Sequence, residues 1–424
     1  MPPARTLYRL ASPAMAERIQ RPRGTFDVLP EEAAARTWLE RTAEATLGRA
    51  GYGRVETPVF EHTELFARGV GGSTDIVRKE MFTFEDQGGR SLTLRPEATA
   101  AICRAYLSEG MQQLAQPVKL WWAGPLFRHE RPQAGRYRQF TQIDAEVIGS
   151  DSPLVDAELI ILLDELLRGL GVPALELRIG SLGSIEARGP YRDELREYLR
   201  AHEAELSDDV RERIDENPLR AFDAKDEGTA AVMANAPTIL DRLETEDAKH
   251  LAAVRGLLDR AGIAYVVDPR IVRGLDYYTR TVFEFHCDRL GAQSQVAGGG
   301  RYDGLIELLG GPPTPACGWA AGVERILIAL EERPDEAPAD VFVAADDGHR
   351  ERAFALVREL RAAGLRAEID LAGRSIKGQM KHADRLNARR AVILDDEGPA
   401  RLREMSSGDQ RELDLARAVE ELSR

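Results

Sequence analysis

The stretch Phe127–Val147, FRHERPQAGRYRQFTQIDAEV, decides how this chain is read. Its ends have strand character and its middle is a polar loop, which predicts a hairpin. The returning strand carries Gln142, Asp144 and Glu146 at i, i+2 and i+4. Strand alternation puts these three on one face, with Gln139, Thr141, Ile143, Ala145 and Val147 on the other. A face bearing an amide and two carboxylates is costly to point into an apolar core. Four arginines, Arg128, Arg131, Arg136 and Arg138, lie just upstream. Guanidinium forks suit phosphate, and carboxylates suit a cationic or hydrogen-bond-donating ligand, so one strand pair could hold both. The same charges also fit a solvated hairpin with cross-strand salt bridges.

Composition narrows the class. A chain of 424 residues has material for about two to four domains. With 43% hydrophobic and 30% charged residues it is ordinary for a soluble globular protein. No apolar run approaches the roughly 18 residues that suggest a membrane span, so no membrane partner is expected. Cys103, Cys287 and Cys317 are far apart, which argues against a zinc site or disulfide framework and fits a reducing cytoplasm. A net charge of −14 argues against non-specific nucleic-acid binding while leaving room for a local basic surface. Residues 1–16 lack a signal h-region and are expected to be a tail, with Met15 an alternative start and a transit peptide a weaker reading.

Outward from the hairpin, EEAAARTWLERTAEATLGRAG (31–51) predicts a helix with acids at its positive end and Gly51 beyond its last turn. A strand over 52–56 is halted by Pro58. Strands at 81–84 and 91–94 lead into Arg95-Pro96-Glu97, where Pro96 suits a first helical position and Glu97 either caps or faces a site. Residues 156–170 predict an apolar helix, and 175–179 a buried strand. Residues 186–262 read as a polar helical insertion without strands. A second polar cluster, Arg273 to Tyr278, precedes a strand over 278–286. AGGGRYDG (297–304) has neither the GK[ST] ending of a P-loop nor a GxGxxG turn. Its glycines suit close passage of backbone past a ligand or another strand. In GWAAGVERILIAL (318–330), Arg325 near a helix start makes sense if an anion is also present.

An acidic, proline-rich linker (331–339) follows. Residues 340–424 alternate strand and helix, predicting a small α/β domain with a mainly parallel sheet. That segment has 16 basic and 17 acidic residues, a net −1 against −13 for the rest. Arg374, Lys377, Lys381 and Arg385, with Arg389 at the same spacing, form a basic stripe that is either a solvated face or a phosphate-backbone contact.

Taken together these stretches resemble the class II aminoacyl-tRNA synthetases, and VRGLDYYTRTVFEF, AGGGRYDGL, LRPEATA and NPLRAFDAK are similar to histidyl-tRNA synthetase motifs. The resemblance runs from about Glu17 to the C-terminus. It implies a catalytic domain over 17–330 built on a six-stranded antiparallel sheet flanked by helices, with the helical insertion and a C-terminal α/β anticodon-binding domain. It also implies a homodimer with the 31–58 unit at the interface, and ATP-dependent joining of L-histidine to tRNA(His) through a histidyl-adenylate, with Mg2+ accompanying ATP. No protein metal ligands follow from it. Residue by residue, Arg128 resembles the arginine on the α-phosphate and the amino-acid carboxylate, Arg325 the one on the γ-phosphate, and Arg273 the family's catalytic arginine. Arg136 falls in the loop near adenine. Glu97, Thr99 and Gln142 resemble the residues that hold the histidine amino group. Glu146 and Tyr278 resemble the pair that reads the imidazole nitrogens, and Arg273, Tyr277 and Tyr302 complete that pocket. Asp144 receives no role. The chain departs from the family at Leu394-Asp395-Asp396, where a glycine is usual, which leaves the anticodon contacts open. A non-catalytic paralogue, the histidine-binding regulatory subunit of ATP phosphoribosyltransferase, is the alternative.

Overall fold

The computed structural model describes residues 18–71, 74–224, 226–334, 337–396 and 398–423. The expected tail over 1–16 lies outside them. The chain divides into two compact units between residues 334 and 335.

The first unit contains strands β1 (Gly53–Arg54), β2 (Phe60–His62), β3 (Phe82–Glu85), β4 (Ser91–Leu94), β5 (Val118–Phe127), β6 (Gln139–Ile148), β7 (Leu175–Ser181), β8 (Val266–Val267), β9 (Thr279–Cys287), β10 (Gln295–Arg301) and β11 (Ala316–Gly322). Eight of them form one sheet in the order β1-β5-β6-β11-β10-β9-β7-β8. The six inner strands are antiparallel throughout. The sheet therefore has eight strands, not the six expected. The two additions are two-residue edge strands, β1 and β8, each pairing parallel to its neighbour at two positions. So short a strand shows no alternation, and its membership is decided by what lies beside it. Strands β2, β4 and β3 form a separate antiparallel sheet.

Alternation along β6 holds. Ile143, Ala145 and Val147 pack into the main core with Leu39 of the helix Pro30–Arg49, Leu163 of the helix Pro153–Gly169 and Val254 of the helix Thr245–Ala261. The opposite sheet face carries Trp122, Tyr278 and Tyr302 with Ile102 of the helix Thr99–Ser108. That last helix begins at Thr99, so Pro96 does not occupy its first position. Glu97 instead accepts a bond from the Ala100 N–H at 3.0 Å. Within the stretch expected as an insertion, Tyr191, Leu195, Val232 and Ile239 form a core of their own. The helix Thr245–Ala261 belongs to the main core instead, because its apolar stripe faces the sheet.

Arg301, expected only as part of a glycine-rich stretch, is a fully buried pin. Its guanidinium bonds both oxygens of buried Asp156 and the Ser150 and Ser152 carbonyls at 2.9 and 3.1 Å, tying β10 to the start of the helix Pro153–Gly169. His250 Nε2 also meets Asp156 Oδ1, at 3.2 Å. Burial would raise the Asp156 carboxyl, but bonds from His250 and the charge of Arg301 outweigh it and hold it below the usual range.

The second unit contains β12 (Val341–Ala345), β13 (Ala367–Ile369), β14 (Arg390–Leu394), β15 (Arg401–Glu404) and β16 (Gln410–Glu412) in the order β13-β12-β14-β15-β16. Pairings of β12 with β13 and β14 are parallel, while β14–β15 and β15–β16 are antiparallel. The sheet is thus half parallel rather than mainly parallel, since its last two strands return through short turns with no crossover helix.

Replacing Arg301 by Leu leaves the Asp156 carboxylate buried with only His250 beside it. We expect a loss of about 3–5 kcal/mol in denaturant unfolding of the first unit; a loss under about 1 kcal/mol would remove the pin from the account.

Candidate active site

The hairpin β5–β6 sets the floor of the site. Asp144 pairs across to Trp122 on one side and Ala320 on the other, and the row continues through Gly298 to Glu284. One step along, Glu146 pairs with Gly318, and Gly318 with Gly300. Small residues on β10 and β11 leave room above the sheet. A methyl on Gly318 would stand 1.6 Å from Glu146 Oε2, and one on Gly298 would stand 2.8 Å from an Arg273 nitrogen. The resulting cavity of about 1150 Å³ is lined by residues from the hairpin and from the stretches around Glu97, Arg273, Gly298 and Gly318.

One group of lining residues is acidic. Glu97 and Asp144 face the cavity, and Glu146 lies buried beneath it. Thr99 donates its hydroxyl hydrogen to Glu146 Oε1 at 2.7 Å, and the Tyr302 hydroxyl holds Oε2. Glu146 therefore already has both oxygens engaged. Burial pushes its carboxyl up to about 8, only partly offset by those two bonds. Glu97 is pushed up to about 7 by burial, against the Ala100 bond and the charge of Arg128. Asp144 rises well above the carboxylate range through burial, then through the charges of Glu146 and Glu97. Gln142 and Tyr278 line the same cavity, with the Tyr277 ring 4.8 Å from that of Tyr278 and 5.7 Å from that of Tyr302.

A second group is cationic. Arg128 is aimed by a bond from Nε to the Pro96 carbonyl at 2.8 Å and lies over the Phe140 ring at 5.2 Å. Arg136 and Arg325 line the cavity as well. Burial, and then the charge of Arg136, lowers the Arg325 guanidinium from its ordinary value. Two cations held this close favour an anion between or beside them. Glu130 lies 3.9 Å from Arg128 and 3.5 Å from Arg136, a partial counter-charge at the loop.

Arg273 is held by a chain the sequence did not reveal. Its Nη1 donates to Glu284 Oε1 at 2.6 Å, Glu284 Oε2 meets His286 Nε2 at 3.0 Å, and His286 Nδ1 meets the Ser294 hydroxyl at 2.9 Å. Bonds from His286 and the Arg273 charge overcome burial and hold Glu284 below the usual range. The guanidinium sits 5.1 Å from the Tyr278 ring. Alternation places Glu284 on the Tyr278 side of β9, and that was the one available signal; the contact itself depends on the loop before the strand. Glu324 was also missed. It accepts from the Thr141 N–H at 3.0 Å and from Arg36 at 3.0 Å, fixing the helix Val323–Ala329, which bears Arg325, against β6.

In the second unit, the helix Ile376–Arg385 exposes Lys377, Lys381 and Arg385. Arg374 precedes that helix and pairs with Asp370, and Arg389 follows it and pairs with Asp340, so the helical part of the stripe is shorter than its spacing suggested. Among the described residues, the three side chains Asp346, His349 and Asp396 of this unit converge closely enough to hold a metal ion; none of them lines the cavity.

A family model described as histidyl-tRNA synthetase matches residues 24–326, and one described as an anticodon binding domain matches 330–424. The histidine–tRNA ligase of Desulforamulus reducens is 47% identical over 408 residues, 94% of this chain and 97% of its own. That of Rubrobacter xylanophilus is 50% identical over 406 residues, 92% of this chain and 96% of its own. The crystal structure of apo S. aureus histidyl-tRNA synthetase aligns with a TM-score of 0.81 at 36% identity, covering 96% of this chain and 100% of that one. With identities this high over nearly the whole length, the chain belongs to the histidyl-tRNA synthetase family.

Proposed function

We propose that the chain joins L-histidine to tRNA(His) in two steps within the cavity over the sheet. The histidine carboxylate attacks the α-phosphorus of ATP and pyrophosphate leaves; a terminal hydroxyl of the tRNA then attacks the adenylate carbonyl and AMP leaves. The observation that carries this reading is the meeting, in one cavity, of an acidic set and an arginine set drawn from four distant segments.

Both reactants of the first step are anionic, so the barrier falls when fixed cations neutralise them as the new bond forms. Arg128 and Arg273 are assigned to the α-phosphate and carboxylate, Arg325 to the γ-phosphate, and Arg136 to the nucleotide from the loop. Mg2+ is assigned to the phosphates of ATP and enters with them. Glu97, Thr99 and Gln142 are assigned to the histidine amino group, and Glu146 and Tyr278 to the two imidazole nitrogens, with Tyr277 and Tyr302 as walls. Thr99 and Tyr302 both direct hydrogens at Glu146, which supports a carboxylate held as an acceptor for an imidazole N–H. A rival side chain that left Glu146 unpaired would be rejected by about 4–5 orders of magnitude, as in sites built around a substrate hydrogen bond.

A regulatory, non-catalytic histidine-binding subunit would use only the acidic half of the cavity. It has no use for Arg128, Arg136 and Arg325 lining the other half, nor for a second unit with a basic face. That face, Lys377, Lys381 and Arg385, is assigned to the tRNA backbone, with Arg374 beside it. A homodimer is assigned through the 31–58 unit, beyond whose end Phe60 lies edge to face with Phe84, with 51% and 44% of their surface exposed.

Arg273→Ala should lower histidine-dependent pyrophosphate exchange by about 10²–10³ while histidine binding persists; unchanged exchange would remove Arg273 from the reaction. Because burial leaves Glu97 and Glu146 half-protonated at about pH 7 and 8, histidine binding at pH 7 should release about 0.5 and about 0.9 proton from them as both carboxyls ionise against the ligand. Calorimetry in buffers of different ionisation heat counts them, and Glu97→Gln should reduce the count; a count near zero would exclude these carboxyls as ligand acceptors. Charge reversal at Lys377 and Lys381 should weaken tRNA charging but leave pyrophosphate exchange intact, whereas an equal fall in both would make the stripe structural.

A further inference from the structure

Asp144 is the one residue of the polar β6 face that the assigned roles leave unused. It is 1% exposed, lines the cavity, and its Oδ1 is buried with no hydrogen-bond partner. Its cross-strand neighbours do not serve it. Ala320 offers only a methyl, and beyond it Gly298 has no side chain. Trp122 on the other side has Arg95 stacked at 4.6 Å, and the Arg95 charge acts on the Asp144 carboxyl, but its Nε and Nη1 bond the Pro125, Thr57 and Pro58 carbonyls and the Thr57 hydroxyl and no bond reaches Oδ1. A buried carboxylate with an open oxygen costs about 1–3 kcal/mol or more unless a ligand completes it.

The ligand chemistry follows from what surrounds that oxygen. Asp144 sits between Gln142 and Glu146 along the strand, and its carboxyl feels the charges of Glu146, Glu97, Arg128 and Arg95. An α-ammonium group has three hydrogens to place. Glu97, Gln142 and Thr99 supply acceptors, of which only Glu97 carries charge. Thr99 has given its own hydrogen to Glu146 and keeps only neutral lone pairs. A carboxylate oxygen is about twice as strong an acceptor for a charged donor as a neutral one.

Resting on the proposed histidine site, we propose that Asp144 is a further specificity-determining residue whose open oxygen accepts a hydrogen bond from the α-ammonium group of the bound amino acid. Glu146 then reads the imidazole, Asp144 and Glu97 read the ammonium charge, and the strand spacing between them measures the distance from ring to backbone. Asp144 thereby separates α-amino acids from imidazole compounds that lack the ammonium group.

The test compares histidine with imidazole-4-propionate, which keeps the ring and carboxylate but has no ammonium. In Asp144→Asn, the KM for histidine in pyrophosphate exchange should rise about tenfold or more, the size of one charge-assisted hydrogen bond, with a smaller change in kcat. The inhibition constant for imidazole-4-propionate should stay within about twofold, since that ligand makes no such bond. Asp144→Ala should repeat the pattern and covers the case in which the amide itself disturbs the floor. Equal weakening of both ligands, or of neither, overturns the inference. Glu97→Gln run alongside separates the levels. If it discriminates between the ligands and the Asp144 variants do not, only the role of Asp144 falls; if Glu97→Gln also fails to discriminate, the ammonium site falls with it.

Discussion

Gly318 lies directly across from Glu146, and the space that its missing side chain leaves is filled by the Glu146 carboxylate. The next strand over depends on the same constraint: a methyl on Gly299 would stand 2.0 Å from the Gly318 carbonyl oxygen. Three antiparallel strands thus run side by side, and on the cavity face two of them offer only Gly298, Gly300, Gly318 and Ala320 beside the third. The third projects Gln142, Asp144 and Glu146 into the space so made. Glycines normally weaken a strand, and here the loss is offset by a sheet buried on both faces and by the Arg301–Asp156 pin at one end of β10.

That geometry makes a site whose charges are arranged before any ligand arrives. Three buried carboxyls close to one another are all raised, first by burial, so each favours its neutral form unless a cation stands beside it. The arginine group is set by different means. Arg128 is aimed by a backbone carbonyl, Arg273 by Glu284 and His286, and the helix bearing Arg325 by Glu324 at its foot. Each cation is thus oriented by a group of its own, which is what electrostatic preorganisation would require of the proposed site.

Glu97 shows how one residue answers two readings at once. The sequence left open whether it caps a helix or faces a site. Both oxygens accept from the Ala100 N–H, at 3.0 and 3.3 Å, and the same carboxyl lines the cavity. Capping holds the side chain in one orientation, so the free side of the carboxylate is presented at a fixed angle.

Much of this was legible in the sequence because it is local. Alternation along β6 separated Ile143, Ala145 and Val147 from Gln142, Asp144 and Glu146 without knowledge of any neighbour. The acid and arginine residue types and the long helices followed from residue type and spacing, and the order of the motifs carried the family. Tertiary structure alone decided the rest. Register placed Gly318 opposite Glu146, returned residues 245–261 to the main core, added two edge strands, and turned Arg301 inward onto Asp156. It also linked Arg273 to Glu284 and His286 and left an oxygen of Asp144 buried without a hydrogen-bond partner. Those outcomes depend on which backbone lies across from which, and pairing across a sheet is set by contacts between residues far apart in the chain.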